Sequence, residues 1–312
     1  MICCSSVISN IGKTKGSGIE LQLNTLIINS KEFNWNINWS YSHMSDKITE
    51  LTGGIDKYET GNNNGARIVD ERVNTYLDYE TYGTWGVGEF ANYIASHKFN
   101  DSNGNEVAAS YPSGYGNPGT LKITDSNNDG KLSADDRRVY NADPENLFGM
   151  NNTFTYKNFS LSVQLMARLG GYIQYAMNNR LDYETANWGG GCTDYWTYTN
   201  QNAKFPSPGA DKSIYTTYGS SLLYEKADFL KIKDITLSYS LPKTWISKIG
   251  LSNARIYGSL KNFFTFSHID NFDPEAGGGF SFPLAKQAVI GICRSYCNQL
   301  YFDGTIRSIC FR

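Results

Sequence analysis

No stretch of the 312-residue chain approaches the roughly 20 consecutive apolar residues that a membrane-spanning helix needs. That excludes helical spans but not membrane strands, which are half polar and leave little trace in a hydropathy average. The start, MICCSSVISNIGKTKG, has no charged segment followed by an apolar run, so no signal peptide is read there. Charge is sparse, at 19% of residues against about 25% in soluble domains. The 28 basic and 30 acidic residues nearly cancel, leaving a net charge of -2. With no basic run or stripe, nucleic acid is not an expected partner. Histidine is limited to His43, His97 and His268. Five of the six cysteines (Cys3, Cys4, Cys293, Cys297, Cys310) lie at the two ends, with only Cys192 between. This spacing offers neither a zinc site nor a Cys–His catalytic pair, and the end cysteines do not read as a disulfide set. No phosphate-cradling glycine loop occurs. Gly277-Gly278-Gly279 reads as a flexible loop. No helix of ten or more residues with an apolar stripe is expected.

Aromatic residues are abundant, with 22 Tyr, 16 Phe and 6 Trp, and they alternate with small polar residues. In FNWNINWSYS, Phe33, Trp35, Ile37, Trp39 and Tyr41 alternate with Asn34, Asn36, Asn38, Ser40 and Ser42. A period of two over ten residues predicts a strand. Trp and Tyr on one face with Asn and Ser on the other suit a strand between lipid and water. Ile19, Leu21, Leu23 and Ile27 form a preceding strand, joined through NSKE. Phe148, Met150, Phe154 and Tyr156 pair with Phe159, Leu161, Val163 and Leu165 across the two-residue link Lys157-Asn158. Further strands are expected over 229–240 and 254–266, with a last one near 286–292. Short links at 29–32, 157–158 and 241–253 alternate with long ones at 51–146, 168–228 and 267–285, the asymmetry of outer-membrane proteins. Stretch 67–98 stays ambiguous, with zero or two strands between 33–43 and 147–156. The fold expected is all-β, an antiparallel transmembrane β-barrel segment of about 7–9 strands with long extracellular loops.

One local motif carries metal chemistry. Asp125, Asn127 and Asp129 take positions 1, 3 and 5 of a calcium-loop pattern, Gly130 the sharp turn, Lys131 the carbonyl position, Ser133 position 9 and Asp136 the last ligand. These spacings imply a Ca2+ site. The same residues also suit an acidic turn closed by its own Asx hydrogen bonds. A second cluster, over 172–198, includes Tyr183, Trp188, Tyr195 and Trp196. It reads either as a wet aromatic surface for sugar rings or peptides, or as loop packing and anchoring at a membrane rim. Asp135/Asp136 and Asp270/Asp273/Glu275 are the densest other acids. Nothing marks out the carboxylate pair that a glycosidase requires, and no enzyme activity is expected.

The order of PGTLKITDSNNDGKLSADDRRVY, ADPENLFGMNNTFTYKNFSLSVQLMARLGGYI, ADFLKIKDITLSYSLPKTWISKIGLSNARIYGSLKNFFTFS and NFDPE resembles the C-terminal half of SusC/RagA-family TonB-linked outer-membrane receptors. RVNTYLDYETYGTWGVGEF is similar to the family segment before the calcium-like loop. The resemblance runs over about 7–292. Residues 1–292 then form one domain with a poorly matching start at 1–6. The cysteine-rich tail 293–312 lies outside the pattern and reads as translation after a frameshift.

The resemblance implies a bacterial outer-membrane receptor that imports glycans or other nutrients, peptides included. Its partners would be a SusD-type surface lipoprotein lid, the lipid bilayer and the TonB complex, the last reached through N-terminal parts that this chain lacks. Alone, the fragment is expected to be inactive. The rival reading is a calcium-stabilised surface carbohydrate-binding β-sheet module. The outward face discriminates: Trp35, Trp39, Phe154, Phe159, Leu161 and Leu237 either meet lipid or lie against a second sheet.

Overall fold

In the computed structural model, residues 10–60, 64–174, 194–210, 212–269, 273–277, 282 and 284–296 are described, apart from the side chains of Lys212, Ser295 and Tyr296. The alternating segments form long strands, β1 (Gly12–Asn29) and β2 (Phe33–Leu51). A long link follows, with short strands β3 (Lys57–Glu59), β4 (Gly65–Ile68), β5 (Thr75–Tyr79) and β6 (Thr81–Thr84), helix α1 (Glu89–Ser96), then β7 (Phe99–Asn100), β8 (Glu106–Val107), β9 (Leu121–Ile123) and β10 (Arg137–Asn141). The pattern then returns to long strands, β11 (Asn146–Tyr156) and β12 (Phe159–Leu169). The next link carries β13 (Tyr172–Gln174), α2 (Lys212–Tyr218) and β14 (Tyr224–Lys226). Last come β15 (Phe229–Ser240), the short helix α3 (Lys243–Ile246), β16 (Leu251–Ser267) and β17 (Gln287–Tyr296).

The seven long strands form one antiparallel sheet in the order β1-β2-β11-β12-β15-β16-β17. Strand β2 pairs directly with β11, so no strand of this sheet lies between them. The register sets Trp35 opposite Phe154, Trp39 opposite Met150 and Tyr41 opposite Phe148. Trp35 stacks on Phe154 at 5.5 Å between ring centroids, and Tyr41 lies 4.9 Å from Phe148. Pairs of this kind lock register, because a one-residue slip would turn every ring to the polar side. The same face continues through Leu161↔Leu237 and Phe159↔Tyr239 to Ile256 and Ile292. On the other face Asn36 meets Thr153 and Asn38 meets Asn151. In β1 a bulge between Leu26 and Ile28 brings Ile28, rather than Ile27, opposite Trp35.

The fold expectation needs correction. The sheet is open: β1 pairs only with β2 and β17 only with β16, so no barrel closes among the described residues. The chain is not all-β either, because helices of 8, 7 and 4 residues interrupt the links. No described helix is long and apolar enough to cross a membrane. The likeness to a receptor family therefore stands without the barrel that was expected with it. Alternation reports only which way successive side chains point, and closure depends on which strands the two edges meet.

The hydrophobic core sits in the links. Trp85, Tyr115, Leu121, Ile123, Phe205, Ile214 and Leu222 are buried together, with Phe90, Tyr93 and Tyr111 packed on them. Strand β2 runs past its alternating part to meet the first link: Ile48 and Leu51 are buried, and the Ile48 amide donates to Glu71 O. By contrast, Leu21, Leu23, Phe159, Leu237, Phe264 and Ile292 on the apolar sheet face stay exposed.

Candidate functional site

The acidic loop closes on its own backbone. Asp125 accepts from the Asp129 amide at 3.1 Å through Oδ1, and from the Gly130 amide at 2.8 Å and the Tyr111 hydroxyl at 2.9 Å through Oδ2. Asn127 Oδ1 also accepts from the Asp129 amide, and Asp129 Oδ1 accepts from the Lys131 amide. Gly130 adopts φ +76, the left-handed turn that its position demands. Ser133 caps a single 3-10 turn over Ala134–Asp136. Asp136, fully buried, accepts from the Ser126 amide at 2.9 Å and the Ser133 amide at 2.7 Å. Burial pushes the Asp136 carboxyl above its ordinary range, against the pull of those two amides.

The structure does not bear out the calcium-loop reading. Among the described residues no three His, Cys, Asp or Glu side chains gather to hold an ion. Asp125, Asn127, Asp129, Lys131, Ser133 and Asp136 make a hydrogen-bonded turn anchored through Tyr111 to the aromatic core. The spacing was suggestive because Asx turns and calcium loops both need short oxygen-bearing side chains beside a left-handed glycine.

Of the aromatic cluster, Tyr183 and Trp188 lie outside the described residues. Trp196 is buried, and its ring sits where a Cβ on Gly119 would come to 3.1 Å. Tyr198 packs edge-on against it at 5.1 Å and is 77% exposed, while Tyr195 is 40% exposed. The structure thus divides the cluster into a packed indole and two surface phenols. Gln201 ties this turn to the loop before α1, accepting from the Val87 amide at 2.9 Å. Beside it, Lys122 bonds Glu89 at 2.6 Å and lies 5.3 Å over the Trp85 ring.

A third cluster escaped recognition as a unit. Lys231, 1% exposed, bonds both Asp273 oxygens, at 3.0 and 2.8 Å, and Glu275 at 3.0 Å. Lys233 bonds Glu275 at 2.6 and 2.8 Å. Burial pushes the Asp273 and Glu275 carboxyls up, but the lysines outweigh it and hold both below the ordinary carboxylate range. The acids singled out at 273 and 275 are therefore spent on a structural clamp, while Asp270 lies outside the described residues. The available signal was two lysines at i and i+2 on a strand and two acids around a proline.

With this geometry in place, similarity to known proteins is informative. No protein-family model matches the chain. It is 28% identical over 277 residues to TonB-dependent receptor P3 of Formosa agariphila, covering 87% of this chain and 26% of that protein. It is 26% identical over 292 residues to TonB-dependent receptor SusC of Bacteroides thetaiotaomicron, covering 91% of this chain and 26% of that protein. The fold is similar to part of the RagAB peptide importer in its closed-closed state, with a TM-score of 0.66, 22% identity, and coverage of 91% of this chain and 30% of that one.

Over most of its length the chain is similar to part of TonB-dependent receptors. It spans about a quarter to three tenths of the length of these curated relatives.

Proposed function

We propose that this chain is part of a TonB-dependent outer-membrane receptor that imports a glycan or peptide with a SusD-type surface lipoprotein. The observation that carries the reading is the inversion of the usual burial pattern. The links hold the packed core, while the apolar face of a seven-stranded sheet leaves Leu21, Leu23, Phe159, Leu237, Phe264 and Ile292 exposed and its Trp35–Phe154 ring pair half-buried. A water-soluble domain covers such a face, because each large apolar side chain left in water forgoes about 1.5–3 kcal/mol. Lipid covers it at no such cost. The rival carbohydrate-binding module would need a second layer over Leu237 and Phe159, which are 52% and 50% exposed.

The test is genetic and biochemical. Deleting the gene in its native bacterium should abolish growth on one oligosaccharide or peptide source, and the tagged protein should purify from outer membranes with a lipoprotein. Unchanged growth on every such source, together with recovery in the soluble fraction, would overturn the reading.

A further inference from the structure

Arg168, on the polar face of the sheet, is a half-buried cation that its described surroundings leave unanswered. Arg168 lies near the end of β12, in register between Leu147 of β11 and Phe229 of β15. Its side chain is half-buried, and its Nε is shut off from solvent without a hydrogen-bond partner. Among the described residues the guanidinium makes neither a hydrogen bond nor an ion pair.

Among the described residues, Arg67 donates to the Ala66 carbonyl at 2.9 Å, and the other cations at similar or greater depth meet carboxylates. Arg72 meets Asp46 at 3.3 Å, Lys122 meets Glu89 at 2.6 Å, Arg137 meets Glu59 at 2.8 Å and Lys231 meets Asp273 at 2.8 Å. Arg168 has carboxylates nearby, yet they are turned elsewhere. Asp228, next in sequence to its cross-strand partner, accepts the Gly170 amide at 2.6 Å, and Asp143 accepts from Asn74 at 2.9 Å. The Gly170-Gly171 turn, with φ of +88 and +86, fixes that amide and so fixes where Asp228 points.

We propose that Arg168 anchors a carboxylate-binding subsite on the polar face of the sheet. The assignment rests on the proposed uptake role and adds the ligand's chemistry: a uronate sugar or a peptide with a free carboxylate. A guanidinium offers two parallel N–H donors that match the two oxygens of a carboxylate and match a neutral hydroxyl poorly. Asn151, Ser162 and Gln164 share the face and supply uncharged hydrogen-bonding groups for the rest of such a ligand. A half-buried cation kept without a protein partner disfavours the fold, so removing it separates binding from stability.

The full chain in detergent micelles is titrated by calorimetry with glucuronate and with glycylglycine, each against its neutral counterpart, glucose or glycylglycine amide. At least one acid should bind while its counterpart does not, and which acid binds separates the sugar source from the peptide source. Arg168→Met should weaken that binding roughly 10- to 100-fold with an unchanged or higher melting temperature, and Arg168→Lys should fall between. Equal binding of acid and neutral form, no binding of either acid, full binding by Arg168→Met, or a clear loss of stability in that variant would each overturn the assignment. These outcomes leave the uptake reading intact, since the gene deletion tests that separately.

Discussion

Single residues fix how the link unit packs. Gly116 adopts φ +86, and a Cβ there would run into the Phe90 ring, which itself lies 5.0 Å from Trp85. Gly116→Ala therefore combines backbone strain with overpacking and should cost about 2–4 kcal/mol in chemical denaturation. A loss below about 0.5 kcal/mol would show that the ring moves aside freely. Lys157 takes φ +51 in the two-residue turn between β11 and β12, so the left-handed position is filled by Lys rather than by Asn158. Lys157→Gly should raise stability by about 0.5–1 kcal/mol, since the exposed ion pair to Glu32, at 3.5 Å, offsets little. In the acidic loop, the Asp125 and Asp136 carboxylates already answer backbone amides. Calcium at about 10 mM, above the weakest extracellular-loop affinities, should leave the melting temperature unchanged; a rise of several degrees would restore the metal reading.

At the scale of elements, β15 shows how a bulge organises charge. The register shifts at Lys233 against both neighbouring strands, and Lys231 and Lys233 both reach the Asp273–Glu275 turn. Lys231→Met would strand Asp273, while Glu275 keeps Lys233, in a site where Pro274 and Asp273 are nearly closed to water. The loss expected is about 3–5 kcal/mol, with faster proteolysis near Glu275. The pH dependence follows from the direction of the shifts. Asp273 and Glu275 titrate lower in the folded chain than in the unfolded one. Their contribution is complete above the unfolded carboxylate range, about pH 4, and is lost as pH falls through the depressed folded values. Asp136, raised by burial, has the opposite sign. Melting curves from pH 7 down to pH 3 should therefore fall less steeply for a Lys231→Met/Lys233→Met variant than for the parent chain. Parallel curves would remove the clamp from the acid sensitivity.

For the whole molecule, the decisive relation is between a packed link unit and an uncovered sheet face. Both sheet edges, β1 and β17, lack a second neighbour among the described strands, and unpaired edges template association. Without detergent the chain should form large assemblies by light scattering, and in micelles it should run as one species. Brominated lipid should quench Trp35 and Trp39 more strongly than the buried Trp85 and Trp196. Equal quenching of all four, followed through single-tryptophan variants, would mean that the apolar face does not meet lipid.

The amino-acid sequence by itself determined the long strands and their two faces, because a period of two assigns each side chain a side wherever an extended strand forms. Asn146–Tyr156 and Phe159–Leu169 could be read from Phe148 to Leu165 on that basis, and the bounds 229–240 agree with the sheet as folded. Helix α1, at eight residues, is too short to show a stripe, and β5 to β10 are two to five residues each, so the link unit stayed illegible. The tertiary structure alone decided that β2 pairs with β11, that the acidic loop closes on backbone amides, and that Lys231 meets Asp273 across 42 residues. Those outcomes depend on contacts between distant segments. Local periodicity carries no information about which segments meet, whereas it states directly which way each side chain of a strand must point.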